Sequence, residues 1–112
     1  MNEMESNLVK KQCKPCESGT KPLSDESVCE MLMRIPAWAR DGKQISRVFT
    51  FKNYYQTVSF VNAVAWLAHR EDHHPDITFG YKVCTIRYST HSVGGLTEND
   101  FICAAKIDAL LE

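Results

Sequence analysis

The sequence predicts a single α+β domain, an antiparallel sheet with helices on one face, and three observations lead there. The chain has 112 residues, 44% hydrophobic and 24% charged, enough for one modest core and ordinary for a globular protein. Helical and strand patterns follow one another as helix, two strands, helix, one or two strands, helix. That order leaves little room for parallel crossovers, each of which needs a connection of a dozen or more residues.

Residues 1–22 read as a polar tail with Pro15, Ser18, Gly19 and Pro22 and no helical or strand period, and residues 23–112 as the domain. The first helix is expected from Ser24, whose hydroxyl caps it while Asp25 and Glu26 suit its positive end. Val28, Met31, Leu32 and Ile35 form its apolar stripe, and Pro36 stops it. Asp41-Gly42 then marks a hairpin between the Trp38 region and residues 45–51. The second helix is expected over 53–70. Its stripe runs through Tyr54, Val58, Val61, Ala65 and Ala68, widened by Phe60, Val64 and Leu67. An arc that broad, with Tyr55 and Trp66 on the other flank, suits contact with another subunit. Pro75 closes the region. A weakly marked strand over 76–80 precedes a clear one over 81–90, where Cys84, Ile86 and Tyr88 face one way and Val83, Thr85, Arg87 and Ser89 the other. The last helix opens on Thr97, with Asp100 as capping-box partner and Leu96 stapling onto Phe101. Ile102, Ala105, Ile107, Leu110 and Leu111 are its expected buried side.

Charge and hydropathy remove several function classes. A formal net charge of −1 argues against nucleic-acid binding by bulk electrostatics. No apolar run approaches the roughly 20 residues that cross a bilayer, so no membrane partner is expected. The first eleven residues carry Glu3 and Glu5 and lack an apolar signal core. Together with an odd number of cysteines, five, this points to free thiols in a cytoplasmic protein.

All four histidines lie between positions 69 and 91: His69, His73, His74 and His91. Imidazole gives and takes protons near neutrality. At the end of the second helix, the macrodipole and Asp72 or Glu71 favour charged imidazoles at His73 and His74, and Pro75 stiffens the turn. His91 comes from another element and is able to face that pair across a cleft, as acid–base catalysis requires. Adjacent histidines at a helix end are equally common as plain polar surface. His69 and His73 have a metal-compatible spacing, yet no acidic or thiol ligand completes a site, so no metal is expected. Asp100 is most simply a cap, and Lys82 and Arg87 solvated surface. Cys13 and Cys16 form a single Cys-x-x-Cys in the tail, too few for zinc and wrongly placed for a helix-start redox pair. Cys84 and Cys103 read as small core residues.

The run His69-x3-His73-His74-Pro75-x5-Tyr81-x9-His91-x8-Asp100 resembles the signature of pterin-4a-carbinolamine dehydratases. Ser89-Thr90-His91 and Gly94-Gly95-Leu96-Thr97 are similar to that family's flanking segments, and the likeness covers roughly residues 23–111. His69 departs from the pattern, which commonly has an acidic residue there. The resemblance implies four antiparallel strands with three helices on one face, assembled as a homodimer or homotetramer. It also implies a hydro-lyase converting 4a-hydroxytetrahydropterin to quinonoid dihydropterin and water, with no metal or organic cofactor, recycling the pterin of aromatic amino-acid hydroxylases. By the same resemblance His73 and His91 are the preferred proton-transfer pair. His74 binds substrate and supports that transfer, Asp72 orients an imidazole, and Ser89, Thr90 and Ser92 line the pterin site. Asp100 then acts electrostatically or structurally. Two alternatives stay open. One is a dehydratase-like protein of molybdopterin metabolism, prompted by the Cys-x-x-Cys. The other is a non-catalytic dimerisation module, as animal members of the family serve for a homeodomain transcription factor.

Overall fold

Alternation along the fourth strand sets the layers: Cys84, Ile86 and Tyr88 are buried, whereas Val83 is exposed and Thr85 and Arg87 half-buried. The computed structural model describes residues 3–112. Its helices are α1 (Glu3–Lys10), α2 (Asp25–Leu32), α3 (Tyr54–Glu71) and α4 (Glu98–Ala109). Its strands are β1 (Ala39–Asp41), β2 (Gln44–Thr50), β3 (Asp76–Phe79) and β4 (Val83–Tyr88). They form one four-stranded sheet in the order β1-β2-β4-β3, with every neighbouring pair antiparallel. The α+β class and the four-stranded antiparallel sheet with helices packed alongside are therefore as expected. β3, weakly marked in the sequence, pairs with β4 along its whole length.

Sheet residues Ile45, Phe49, Ile86 and Tyr88 join Val28, Ile35, Trp38, Phe60, Val64, Phe101, Ile102 and Ile107 in one buried cluster. Each such side chain contributes about 1.5–3 kcal/mol on full burial. Asp108 fastens α4 to β2 and the first loop: its Oδ1 accepts from Arg47 at 2.6 Å and from Trp38 Nε1 at 2.9 Å. Burial pushes the Asp108 carboxyl above its ordinary range in spite of those two donors. The hairpin turns at Gly42, whose φ of 61° suits the primed turns that match strand twist.

The caps at Ser24 and Thr97 fall where expected, and Asn53, expected as the first residue of its helix, is the cap of α3. Ser24 Oγ accepts from the Ser27 N–H at 3.2 Å, Asn53 Oδ1 from Gln56 N–H at 2.9 Å, and Thr97 closes a capping box with Asp100. Several details differ from expectation. α2 ends at Leu32, not at Pro36. Pro36 pushes its predecessor out of the helical basin, so the chain leaves through tight i→i−3 bonds, Arg34 N to Met31 O and Ile35 N to Leu32 O. The buried line of α3 runs Thr57, Phe60, Val64, Ala68, while Tyr54 and Ala65 are exposed. Thr57 escapes a count of apolar residues, yet its hydroxyl reaches the Asn53 and Tyr81 carbonyls at 2.9 and 3.0 Å and is satisfied inside. Leu110 and Leu111 are exposed, because α4 ends at Ala109 and the last residues turn away from its buried side.

The segment before residue 22 carries α1, which packs on α4 with Leu8 fully buried. Lys106 Nζ donates to Val9 O at 2.7 Å, and Asn99 clasps Lys14, donating to its carbonyl at 2.7 Å and accepting from its N–H at 3.1 Å. Among the described side chains Leu8 and Val9 are the aliphatic ones that mark this docking in the sequence, too few to register as a period.

Candidate active site

α3 ends where the histidines begin. Asp72 takes the left-handed conformation, φ 52° and ψ 42°, which costs an ordinary residue about 1–2 kcal/mol and suits aspartate better than most. Its N–H bonds to His69 O at 3.3 Å and the His73 N–H to Ala68 O at 3.1 Å, the paired bonds of a Schellman motif. This reversal carries His73 toward α4 and hands the chain to Pro75 and β3.

His73 Nε2 lies 2.6 Å from Asp100 Oδ1. The carboxylate is fully buried, and its Oδ2 accepts from Thr90 Oγ1 and from the Thr97 N–H, both at 2.9 Å. Thr97 Oγ1 in turn lies 2.8 Å from Thr90 Oγ1. Asp100 is thus both a helix cap and the junction of three elements. The His73 ring stacks on Tyr88, centroids 5.3 Å apart and planes at 13°. Burial on its own would pull the His73 imidazole down. The hydrogen bond and charge of Asp100, joined by Cys103 and Asp72, outweigh it and hold the ring above its ordinary value.

His91 stands at the head of a short loop closed by the Thr90–Gly95 bridge. Gly94 adopts φ 77° there, and its N–H bonds to the Thr90 and His91 carbonyls. Side chains alternate through this stretch. Ser89 and His91 line a cleft of about 150 Å³ together with His74, Tyr88, Asp76 and Arg87. Thr90 and Ser92 line a second cleft of about 300 Å³ with Asp72 and His73. His74 also shares a groove with His69, Asp72, His73 and Pro75. The structure therefore joins His74 to His91 in one cleft and His73 to Thr90, Ser92 and Asp72 in another, with His74 bordering both histidines. His69 is exposed and lies against Trp66, ring centroids 5.3 Å apart.

Sequence reasoning did not single out Tyr88, Thr97, Cys13 or Cys103 around His73. Tyr88 was legible only as an inward-facing strand residue, and the cysteines converge through contacts 90 positions apart. Among the described residues, no group of three or more His, Cys, Asp or Glu side chains is placed to hold a metal ion, and no helix is long and apolar enough to cross a membrane.

Comparison with known proteins follows the same outline. The family model described as pterin 4 alpha carbinolamine dehydratase matches residues 21–110. A protein of that name from Nitrosospira multiformis is 58% identical over 106 residues, covering 95% of this chain and 94% of the relative. Another from Dechloromonas aromatica is 50% identical over 106 residues, with 95% of each chain covered. Among solved structures, a transcriptional coactivator/pterin dehydratase from Brucella melitensis superposes with a TM-score of 0.78 at 29% identity, covering 82% of this chain and 100% of that one. A pterin dehydratase-like protein described as a RuBisCO assembly factor in the alpha-carboxysome gives 0.57 at 32% identity, over 66% of this chain and 88% of that one. A fold of this topology, a histidine pair at the close of α3, a third histidine after β4 and relatives of this similarity together show that the chain belongs to the pterin-4-alpha-carbinolamine dehydratase family of hydro-lyases.

Proposed function

We propose that the chain dehydrates 4a-hydroxytetrahydropterin to quinonoid dihydropterin by histidine acid–base catalysis. The observation that carries this reading is the grouping of His73, His74 and His91, with His74 bordering the other two. Loss of the 4a-hydroxyl needs a proton on the leaving oxygen, and formation of the C4a=N5 bond needs the N5 proton removed. His73, backed by Asp100 and carrying its proton more firmly than an ordinary histidine, is the acid. His91 is the base at N5. The C4a–O bond breaks as water leaves, the N5 electron pair closes the double bond, and solvent returns each imidazole to its starting state. His74, which borders His91 in one cleft and His73 in the adjoining groove, spans the two and holds the flat heterocycle. Asp100 orients His73, Asp72 adds its charge beside that ring, and Ser89, Thr90 and Ser92 supply hydrogen-bonding groups on the loop side. Pro75 fixes the direction of the two adjacent rings, and the site calls on no metal or organic cofactor.

Stopped-flow decay of the 4a-carbinolamine tests this. His73→Ala and His91→Ala should each lower kcat by roughly 10²–10⁴-fold, the usual worth of a positioned acid or base, while His74→Ala should act mainly on KM. Wild type no faster than the spontaneous reaction overturns the proposal. If His73→Ala leaves kcat intact, the proton pair is His74 and His91, which share a cleft. The physiological setting we infer is cytoplasmic pterin recycling beside an aromatic amino-acid hydroxylase.

A second reading concerns assembly. Tyr55 and Trp66 are 79% and 64% exposed on α3, and Tyr55 borders an apolar groove with Phe51, Ala63, Leu110 and Leu111. We infer that a second copy of the chain covers this face, giving a homodimer or homotetramer. Sedimentation of wild type against Tyr55→Glu tests it, and a wild-type monomer overturns it.

A further inference from the structure

The Cys13-Lys14-Pro15-Cys16 motif has no part in the proton chemistry, yet its first thiol is held in place on every side. The Cys13 N–H donates to Glu71 Oε1 at 2.9 Å, its Sγ lies 3.6 Å from Asn99 O, and the next residue is clasped by the Asn99 side chain. These bonds bring Cys13 Sγ to 3.4 Å from Cys103 Sγ on α4. Cys103 Sγ is in turn 4.0 Å from the His73 carbonyl oxygen. Cys13 and Cys16 line the same cleft as His73, whereas Cys103 is fully buried behind them. All five cysteines are free thiols. Drawing the pair together to the ~2.0 Å of a disulfide is an adjustment on the scale of a side chain.

We propose that Cys13 and Cys103 are a modification site: a small peroxide entering the His73 cleft converts the pair reversibly to a disulfide, which latches the N-terminal segment to α4 beside the catalytic histidine. Cys13, which lines the cleft, attacks one peroxide oxygen and the O–O bond breaks. Cys13 becomes a sulfenic acid, and its thiol proton goes to the departing hydroxide, forming water. The Cys103 sulfur, 3.4 Å behind it, then attacks the Cys13 sulfur. The S–S bond forms, and the displaced hydroxide takes up the Cys103 proton, giving a second water. Two thiols are oxidised and one peroxide is reduced.

The link to catalysis rests on the reading of His73 as the acid. Asp100 and Cys103 from α4, Tyr88 from β4, and Asp72, Glu71 and Arg70 at the end of α3 face the His73 side of the cleft. Cys103 is one of the groups that raise the His73 ring, and a disulfide sulfur carries no charge, so oxidation lets the ring give up its proton at lower pH.

The test treats the reduced full chain with hydrogen peroxide, unfolds it in denaturant, blocks remaining thiols with a maleimide and maps the peptides by mass spectrometry. Expected are the loss of two alkylatable thiols per chain and a linked Cys13–Cys103 peptide, cleaved by dithiothreitol and preserved in Cys16→Ser. Cys103→Ser should instead leave a Cys13 sulfenic acid that dimedone traps. A Cys103 that stays fully alkylatable, or a Cys13–Cys16 linkage in its place, overturns the proposal. The second readout is the NMR titration of the His73 ring, expected at lower pH in oxidised than in reduced wild type and insensitive to peroxide in Cys13→Ser. An unchanged titration in oxidised wild type overturns the coupling to His73. Neither readout needs turnover, so a chain that dehydrates no pterin counts against the proposed function and leaves this test standing.

Discussion

His73 and Asp100 meet across the close of α3 and the opening of α4, Nε2 to Oδ1 at 2.6 Å. The carboxylate serves two purposes at once. One oxygen faces the imidazole, and the other accepts the Thr97 N–H and the Thr90 hydroxyl. Asp100→Asn keeps the shape and removes the charge, which separates them. The amide oxygen is able to cap Thr97, so the helix start persists, while the His73 ring loses the partner that holds its proton. We expect the limb of the kcat–pH profile assigned to His73 to move to lower pH, with the fold retained by circular dichroism. Asp100→Ala should also unfold more easily, by about 3 kcal/mol, since it leaves a buried polar network open.

The same pair makes stability depend on pH. Because the folded His73 holds its proton above the ordinary histidine value of 6.5, the native state binds more protons than the unfolded chain between that value and the raised one. The pair's contribution is therefore complete below an ordinary histidine pKa and is lost as pH rises through the folded one. Urea unfolding of wild type and His73→Gln across that window checks it: the stability difference should shrink toward high pH. A constant difference would mean that the bond holds no extra proton.

What the sequence made legible is what short-range chemistry decides. Ser24 and Asn53 stand where helices begin because a side-chain oxygen meets an N–H three residues on, and Thr97 because the Asp100 carboxylate reaches back to its N–H. The β4 alternation is visible for the same local reason. The site was legible as a set of histidines and an aspartate, but the assignment of each ring to a cleft was not. That depends on the left-handed turn at Asp72 and on alternation through residues 89–92, which set His73 beside Thr90 and Ser92 and His74 beside His91. The docking of residues 8–14 was hidden as well, since it uses polar contacts 58 or more positions apart in place of an apolar period.

Leu8 is the apolar anchor of that docking, fully buried in the cluster with α4. Leu8→Ala should cost about 2–5 kcal/mol, the range for a large aliphatic truncated in a core. Amide exchange should rise selectively over 7–16 if the segment opens before the rest, and a chemical-denaturation midpoint equal to wild type would show that α1 contributes nothing to the fold.

Gly95 ties the N-terminal connection to the loop of His91. It is buried and has room for no side chain: a Cβ there would lie 2.7 Å from Pro22 Cβ. Its backbone pairs with Thr90, whose hydroxyl reaches Asp100, so any shift at Gly95 is transmitted to both His91 and His73. Pro22 is itself held by the bond from the Leu23 N–H to Leu96 O at 2.8 Å, so neither side yields freely. Gly95→Ala should destabilise the chain by about 1–3 kcal/mol, as overpacking does, and should lower kcat more than it raises KM. Pro22→Gly removes the opposing Cβ and should restore turnover in the double variant. If Gly95→Ala remains defective beside Pro22→Gly, the cause lies in the loop backbone and not in the contact with Pro22.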